Sequence, residues 1–181
     1  MQKRIVTQTH VRRLVMDAMF IALYVVFEQL SVEMAIVEIS LTSLPILLCA
    51  RLYGLRDALA VALIGSFVEQ LTSPYGLSVT TPLWMAPVIL MAACAAILFW
   101  LLGRRGGRLR LLFVIILSEL VFTVLNTAAL YLDGYIMDYA VKALHLMVMP
   151  RLLNCLVRMA VSCILLPLLL PKLERLSGQK K

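Results

Sequence analysis

Charge is scarce in this chain of 181 residues: Asp, Glu, Lys and Arg make up 15% of positions, against about 25% in ordinary soluble domains. With so little polar material a soluble exterior cannot be built, which excludes a cytosolic enzyme and a secreted disulfide scaffold. Histidine is nearly missing, with His10 and His145 alone, and neither stands in an HExxH pattern. There is no Gly-x-Ser-x-Gly elbow and no pair of glutamates beside a histidine, so nothing in the sequence assembles a catalytic set. Gly103-Arg-Arg-Gly106-Gly107-Arg is a basic turn without the Lys-Ser/Thr of a phosphate-binding loop, so ATP hydrolysis would have to come from another protein. The four cysteines, Cys49, Cys94, Cys155 and Cys163, lie inside apolar runs without ligand-like spacing and read as packing residues, leaving no metal site to expect.

What is present in abundance is hydrocarbon. Hydrophobic residues make up 62% of the chain, and the mean hydropathy is +0.96. At about 20 residues per crossing, such a chain has room for six membrane helices and no soluble domain. Apolar runs bounded by charge, Pro or Gly predict helices near 13–34, 37–53, 56–72, 83–103, 109–132 and 145–170 in a single membrane domain covering 1–181. The second and third are short and separated only by a tight turn around Gly54, and Pro45 interrupts the second. The first apolar run follows a basic stretch as a signal peptide would, yet no small-residue cleavage pattern follows it, and it is expected to be a permanent helix.

The net charge of +7 is distributed in a telling way. Fourteen of the 17 basic residues fall in the two tails and in every second connection, which by the positive-inside rule puts both termini in the cytoplasm. Because the clusters alternate with long apolar runs instead of lining a polar face, nucleic acid is not an expected partner, whereas lipid is.

Arg151 and Arg158 break the pattern, since both fall inside the last apolar run. A guanidinium in hydrocarbon costs at least about 2.5–3.5 kcal/mol, so each should face the bundle interior and find a partner. Opposite running directions of the fifth and sixth helices bring Glu119 to the depth of Arg158, predicting a structural ion pair. Arg151 falls nearer the outer opening, at about the level of Glu69, and is the better ligand candidate. The stretch from Glu69 through Gln70, Tyr75 and Trp84 concentrates polar and aromatic groups in what reads as an outer lid loop. Tyr75 and Trp84 could stack on a planar heterocycle or serve as interfacial anchors. Asn126, with Thr127, could line a pocket or hold helices together. Near the start of the first helix, Ala18 and Ala22 make a flat stripe on which another helix could lie, while Ala58, Ala62 and Ser66 repeat the same spacing elsewhere.

Three segments together resemble the substrate-binding S components of energy-coupling factor (ECF) vitamin transporters. Arg12-Arg13-Leu-Val-Met-Asp17-Ala18-Met-Phe-Ile-Ala22-Leu-Tyr24 is similar to the opening of that family. Ile39-Ser-Leu-Thr-Ser43-Leu44-Pro45-Ile46, with Tyr53-Gly54 and the helix through Gly65, resembles the second and third helices of its folate-type branch. Leu125-Asn126-Thr127 and Pro150-Arg151-Leu-Leu153-Asn154 look like that branch's Leu-Asn-Thr and Pro-Arg-Leu segments, although Ala128-Ala129-Leu130-Tyr131 stands where the branch usually has a tryptophan. The resemblance implies an all-α, six-helix subunit in a prokaryotic plasma membrane that captures a vitamin from outside, folate or a related pterin first. Another B vitamin, a cobalamin or a precursor would be the alternative. It further implies docking through Ala18 and Ala22 on a transmembrane coupling subunit served by two cytoplasmic ATPases, with no cofactor. Arg151 would bind the ligand, Tyr75 and Trp84 would stack on it, and Glu69, Gln70, Asn126 and Asn154 would orient it. A membrane-embedded hydrolase using Glu119 or Glu69 as base, or a non-transporting scaffold, are the readings from other classes.

Overall fold

The computed structural model describes residues 2–30, 32–34, 37–73, 76–103, 107–138 and 148–176, with side chains from residue 11 to residue 174 outside two short strands. In chain order the elements are α1 (Gln2–Gln29), β1 (Val32–Met34), β2 (Val37–Ile39), α2 (Ser43–Leu52), α3 (Leu55–Thr72), α4 (Thr81–Leu101), α5 (Arg108–Ile136) and α6 (Val148–Leu176).

The hairpin β1–β2 is the main departure from the sequence expectation, which carried helix to residue 34 and resumed it at 37. It pairs Val32 with Ile39 and Met34 with Val37 in antiparallel register. Valine and isoleucine lose χ1 freedom in a helix and suit a pleated strand, which explains why the apolar run leaves α1 at this point. The second helix consequently begins at Ser43 and has 10 residues. Pro45 then falls in the first turn, where its missing N–H would have had no helical partner, and it starts the helix instead of interrupting it.

At about 1.5 Å per residue α2 rises only about 15 Å, half of a bilayer core, so it does not cross by itself. The chain here runs back along the second half of α1, from Glu28 to Asp17. Ser40 donates to Glu28 Oε2 at 3.2 Å before α2 begins, and Cys49 Sγ lies 3.8 Å from Asp17 Oδ1 near its end. Every residue of α2 is buried, and the helix packs against α1, α3, α4 and α6. Its neighbours include Phe20, Tyr24, Val61, Met91 and Leu166, all essentially inaccessible.

Contacts between α1 and α3 join residues 44, 45 and 43 positions apart, Arg13 with Asp57, Tyr24 with Glu69 and Gln29 with Thr72. A nearly constant offset along two helices means that they run parallel and in register. The close approach is possible because Gly65 faces the Tyr24 ring, where a Cβ would come within 2.8 Å of Cδ1. Two-residue reversal between α2 and α3 relies on Gly54, whose φ of 97° is open to glycine at no steric cost.

Among the described residues, three helices are long and apolar enough to cross a membrane: α4, α5 and residues Val148–Glu174 of α6. Prolines are tolerated there, Pro87 within α4 and Pro167 and Pro171 within α6, as neighbouring helices in a bundle can re-satisfy the freed carbonyls.

Candidate functional site: an arginine ladder on α6

The α5–α6 pair runs antiparallel, and on it two arginines repeat one arrangement at two depths. At the tier nearer the start of α6, Arg151 donates from Nη1 to the Asn126 carbonyl oxygen at 2.9 Å. Its guanidinium carbon lies 5.7 Å from the centroid of the Trp84 indole. That distance is within the range in which a cation is attracted to the electron-rich face of a ring. Three residues from three helices, α4, α5 and α6, thus converge where the sequence expected a ligand group. Arg151, Trp84, Asn126 and Asn154 are all half-buried, so this end of the bundle is both structured and reachable.

One heptad further along α6, Arg158 repeats the arrangement in a fully buried setting. Its Nη2 donates to Thr123 Oγ1 at 3.3 Å, and its guanidinium carbon lies 4.4 Å from the Phe122 centroid. Nε stands 3.5 Å from Glu119 Oε2, with the Glu119 side chain 0% and that of Arg158 6% exposed. Arg158 supplies the opposite charge for this buried carboxylate, and the Ser43 hydroxyl of α2 is a further polar group acting on it. Thr123 Oγ1 also donates back to the Glu119 carbonyl at 2.9 Å, tying the tier to the helix backbone.

A second polar group, on α1, α3 and the segment before α2, is acidic and hydroxyl-rich. Tyr24 is 1% exposed and donates its hydroxyl to Glu69 Oε2. Glu28 accepts from Ser40, whose hydroxyl is 2.9 Å from that of Thr42, and Gln29 Nε2 donates to Thr72 Oγ1 at 3.1 Å. Glu69 is therefore held by Tyr24, and Gln70 is half-buried beside it on α3. The connection to α4 is organised by its own hydroxyls. Ser78 N–H donates to Thr81 Oγ1 at 2.9 Å, the Ser78 and Thr80 hydroxyls are 2.9 Å apart, and Gly76 N–H donates to Ser73 O at 3.0 Å. Tyr75 lies outside the described residues.

Sequence reasoning passed over Phe122, Thr123 and the role of Tyr24. Phe122 and Thr123 follow Glu119 by three and four positions, the spacing that places residues on one helix face, so that signal was available. Nothing local marks Tyr24, which gains its meaning only from Gly65 and Glu69 across the α1–α3 contact.

Of the two alanine stripes, Ala58, Ala62 and Ser66 are buried inside the bundle, at 0%, 0% and 1% exposure. Ala18 and Ala22 are exposed on α1, in company with the exposed Val11, Val15, Met19 and Val26.

The described residues thus form a membrane-type helical bundle with a reachable cation–aromatic cluster at one end. The model of the family described as "ECF transporter, substrate-specific component" matches residues 12–170, and the chain belongs to that family of substrate-binding transport subunits. Membership implies a small-molecule substrate and an ECF module as partner. Comparison with curated proteins finds no match.

Proposed function

We propose that the protein captures a vitamin at the end of the bundle where Arg151, Trp84 and Asn126 converge, with folate or a related pterin as the favoured ligand. The observation that carries this reading is the Arg151 guanidinium held at 2.9 Å by the Asn126 carbonyl and at 5.7 Å from the Trp84 ring centroid. A guanidinium can bind a carboxylate through two parallel charge-assisted hydrogen bonds, and the adjacent indole offers a flat apolar face to a planar ring. Both features match a carboxylate-bearing heterocycle. Asn154, Gln70 and Tyr75 complete the proposed polar and stacking contacts, and Glu69 acts from its bond with Tyr24.

On this reading the site opens outward, both termini are cytoplasmic, and the membrane is the plasma membrane of a prokaryote. The exposed Ala18–Ala22 stripe docks on a transmembrane coupling subunit, whose two ATPases drive the bundle to reorient and release its ligand inside. Glu119 and Arg158 hold α5 against α6 while the ligand tier above them loads and empties.

Mass spectrometry of small molecules released by denaturing the detergent-purified protein tests the proposal. A stoichiometric folate or pterin is expected. A different vitamin would discard the ligand and keep the transport role; no ligand after expression in vitamin-supplemented medium would overturn the reading.

A further inference from the structure

Two polar rungs close the α1–α3 side of the bundle at its two ends. At one, Arg13 donates from Nε to Asp57 Oδ2 at 2.6 Å; at the other, Gln29 Nε2 donates to Thr72 Oγ1 at 3.1 Å. Both rungs reach the surface, since Arg13, Gln29 and Thr72 are exposed. Every exposed side chain that α1 and α3 carry between them is apolar, Leu14, Val15, Ile64 and Phe67 among them. The ionisable groups at intermediate heights turn inward instead: Asp17 meets Cys49, Glu28 meets Ser40 and Glu69 meets Tyr24. This side of the bundle therefore presents an apolar band with a defined upper and lower edge.

The height of the band follows from helix geometry. Residues 14–28 of α1 lie between the rungs and rise about 22 Å, well short of a hydrocarbon core of about 30 Å. The α5 helix, which packs on α4 and α6, is built differently. Its exposed side chains from Phe113 to Met137 are all apolar or aromatic, a rise of about 36 Å. A stretch longer than the core can tilt to fit, but tilting shortens a band that is already too short. Snorkelling would lengthen it, yet Asp57 ties the Arg13 guanidinium to the start of α3 and Thr72 holds the Gln29 amide. What remains is for the lipid beside α1 and α3 to be thinner than the lipid beside α5.

We infer that the α1–α3 face selects short-chain phospholipid from the bilayer, through an apolar band fixed in height by the Arg13–Asp57 and Gln29–Thr72 rungs. Neither the vitamin nor a coupling subunit takes part, so the full chain is tested alone. Tryptophan probes are placed on the two sides of the bundle, Phe67→Trp on α3 and Val124→Trp on α5, both at exposed positions. Each protein is reconstituted in an equal mixture of dimyristoleoyl- and dierucoyl-phosphatidylcholine, with one lipid or the other brominated, and the quenching of the parent protein is subtracted. The short-chain lipid is expected to quench Phe67→Trp about threefold more than the long-chain lipid does, and to have no such advantage at Val124→Trp. Adding Gln29→Leu and Thr72→Leu to Phe67→Trp removes one rung, lengthens the band and should erase the preference. If that variant fails to fold, the comparison of the two probes decides. Equal quenching of Phe67→Trp by the two lipids, or the same preference at both probes, would overturn the inference. So would the absence of quenching by either lipid at Phe67→Trp, which would mean that a second copy of the chain covers this face. A preference that survives loss of the rung would overturn it as well, by separating the selection from the height of the band.

Discussion

Arg151 and Arg158 are seven residues apart on one face of α6, yet their surroundings assign them different work. Arg151 is half-buried against Trp84, so its loss removes donors from a reachable site without leaving a buried charge behind. Arg151→Ala is expected to weaken vitamin binding about tenfold or more, the scale of a charge-assisted hydrogen bond. Arg151→Lys, which keeps the charge but loses the planar fork, should fall between the two. Titration of the purified variants by tryptophan fluorescence checks this, and an unchanged Kd in folded Arg151→Ala would remove the residue from the site. Arg158 is buried with Glu119, and there the cost is structural. Removing either partner alone strands a charge and should destabilise the bundle by about 3–5 kcal/mol, whereas Glu119→Leu with Arg158→Met should come out near neutral. Denaturant unfolding of the two single variants and the double variant measures the difference; additive losses would refute the pairing. Sequence alone could place Arg158 and Glu119 at one depth, because helix length converts directly into depth. It could not place Phe122 under the guanidinium, since that depends on the rotation of α5 about its axis.

Packing between elements turns on where a small residue meets a large one. Tyr24 lies against Gly65, one helical turn before Glu69, so the contact that lets α1 approach α3 also sets the Tyr24–Glu69 hydrogen bond. Gly65→Ala gains up to about 1 kcal/mol of helix propensity. A Cβ at 2.8 Å from Cδ1 and 3.0 Å from Cγ must nevertheless push a fully buried ring. Overpacking of that kind costs about 1–3 kcal/mol, so the net effect should be destabilising. Thermal unfolding in detergent should show a lower Tm, and an unchanged or higher Tm would mean that the α1–α3 contact yields easily. The α2 segment teaches a related lesson. Its apolar run was readable as a helix, but the β-branched residues at 32, 37 and 39 belong to a hairpin, and the remaining 10 residues are too short to cross. Hydropathy averages across such a boundary, because strand and helix can be equally apolar.

For the molecule as a whole, the consequence of packing is that one alanine stripe is used up inside and the other is left outside. Ala58, Ala62 and Ser66 are consumed by internal contacts, while Ala18 and Ala22 remain on the surface of α1, where the proposed docking needs them. Ala18→Trp or Ala22→Trp should therefore spare vitamin binding and abolish uptake in cells that supply the ECF module. Normal uptake by both variants would refute docking through this face. The sequence by itself determined that this is a helical chain for a membrane, that two arginines inside it require partners, and that its motifs are those of an ECF substrate-specific component. These follow from hydropathy, charge and short motifs, which are local properties of the chain. Only the tertiary structure decided that Trp84 meets Arg151, that Tyr24 holds Glu69, that α2 is a short buried plug, and which alanine stripe stays exposed. Each of those depends on how a helix is rotated and which distant segment lies beside it, and side-chain volumes summed over the whole bundle set that arrangement.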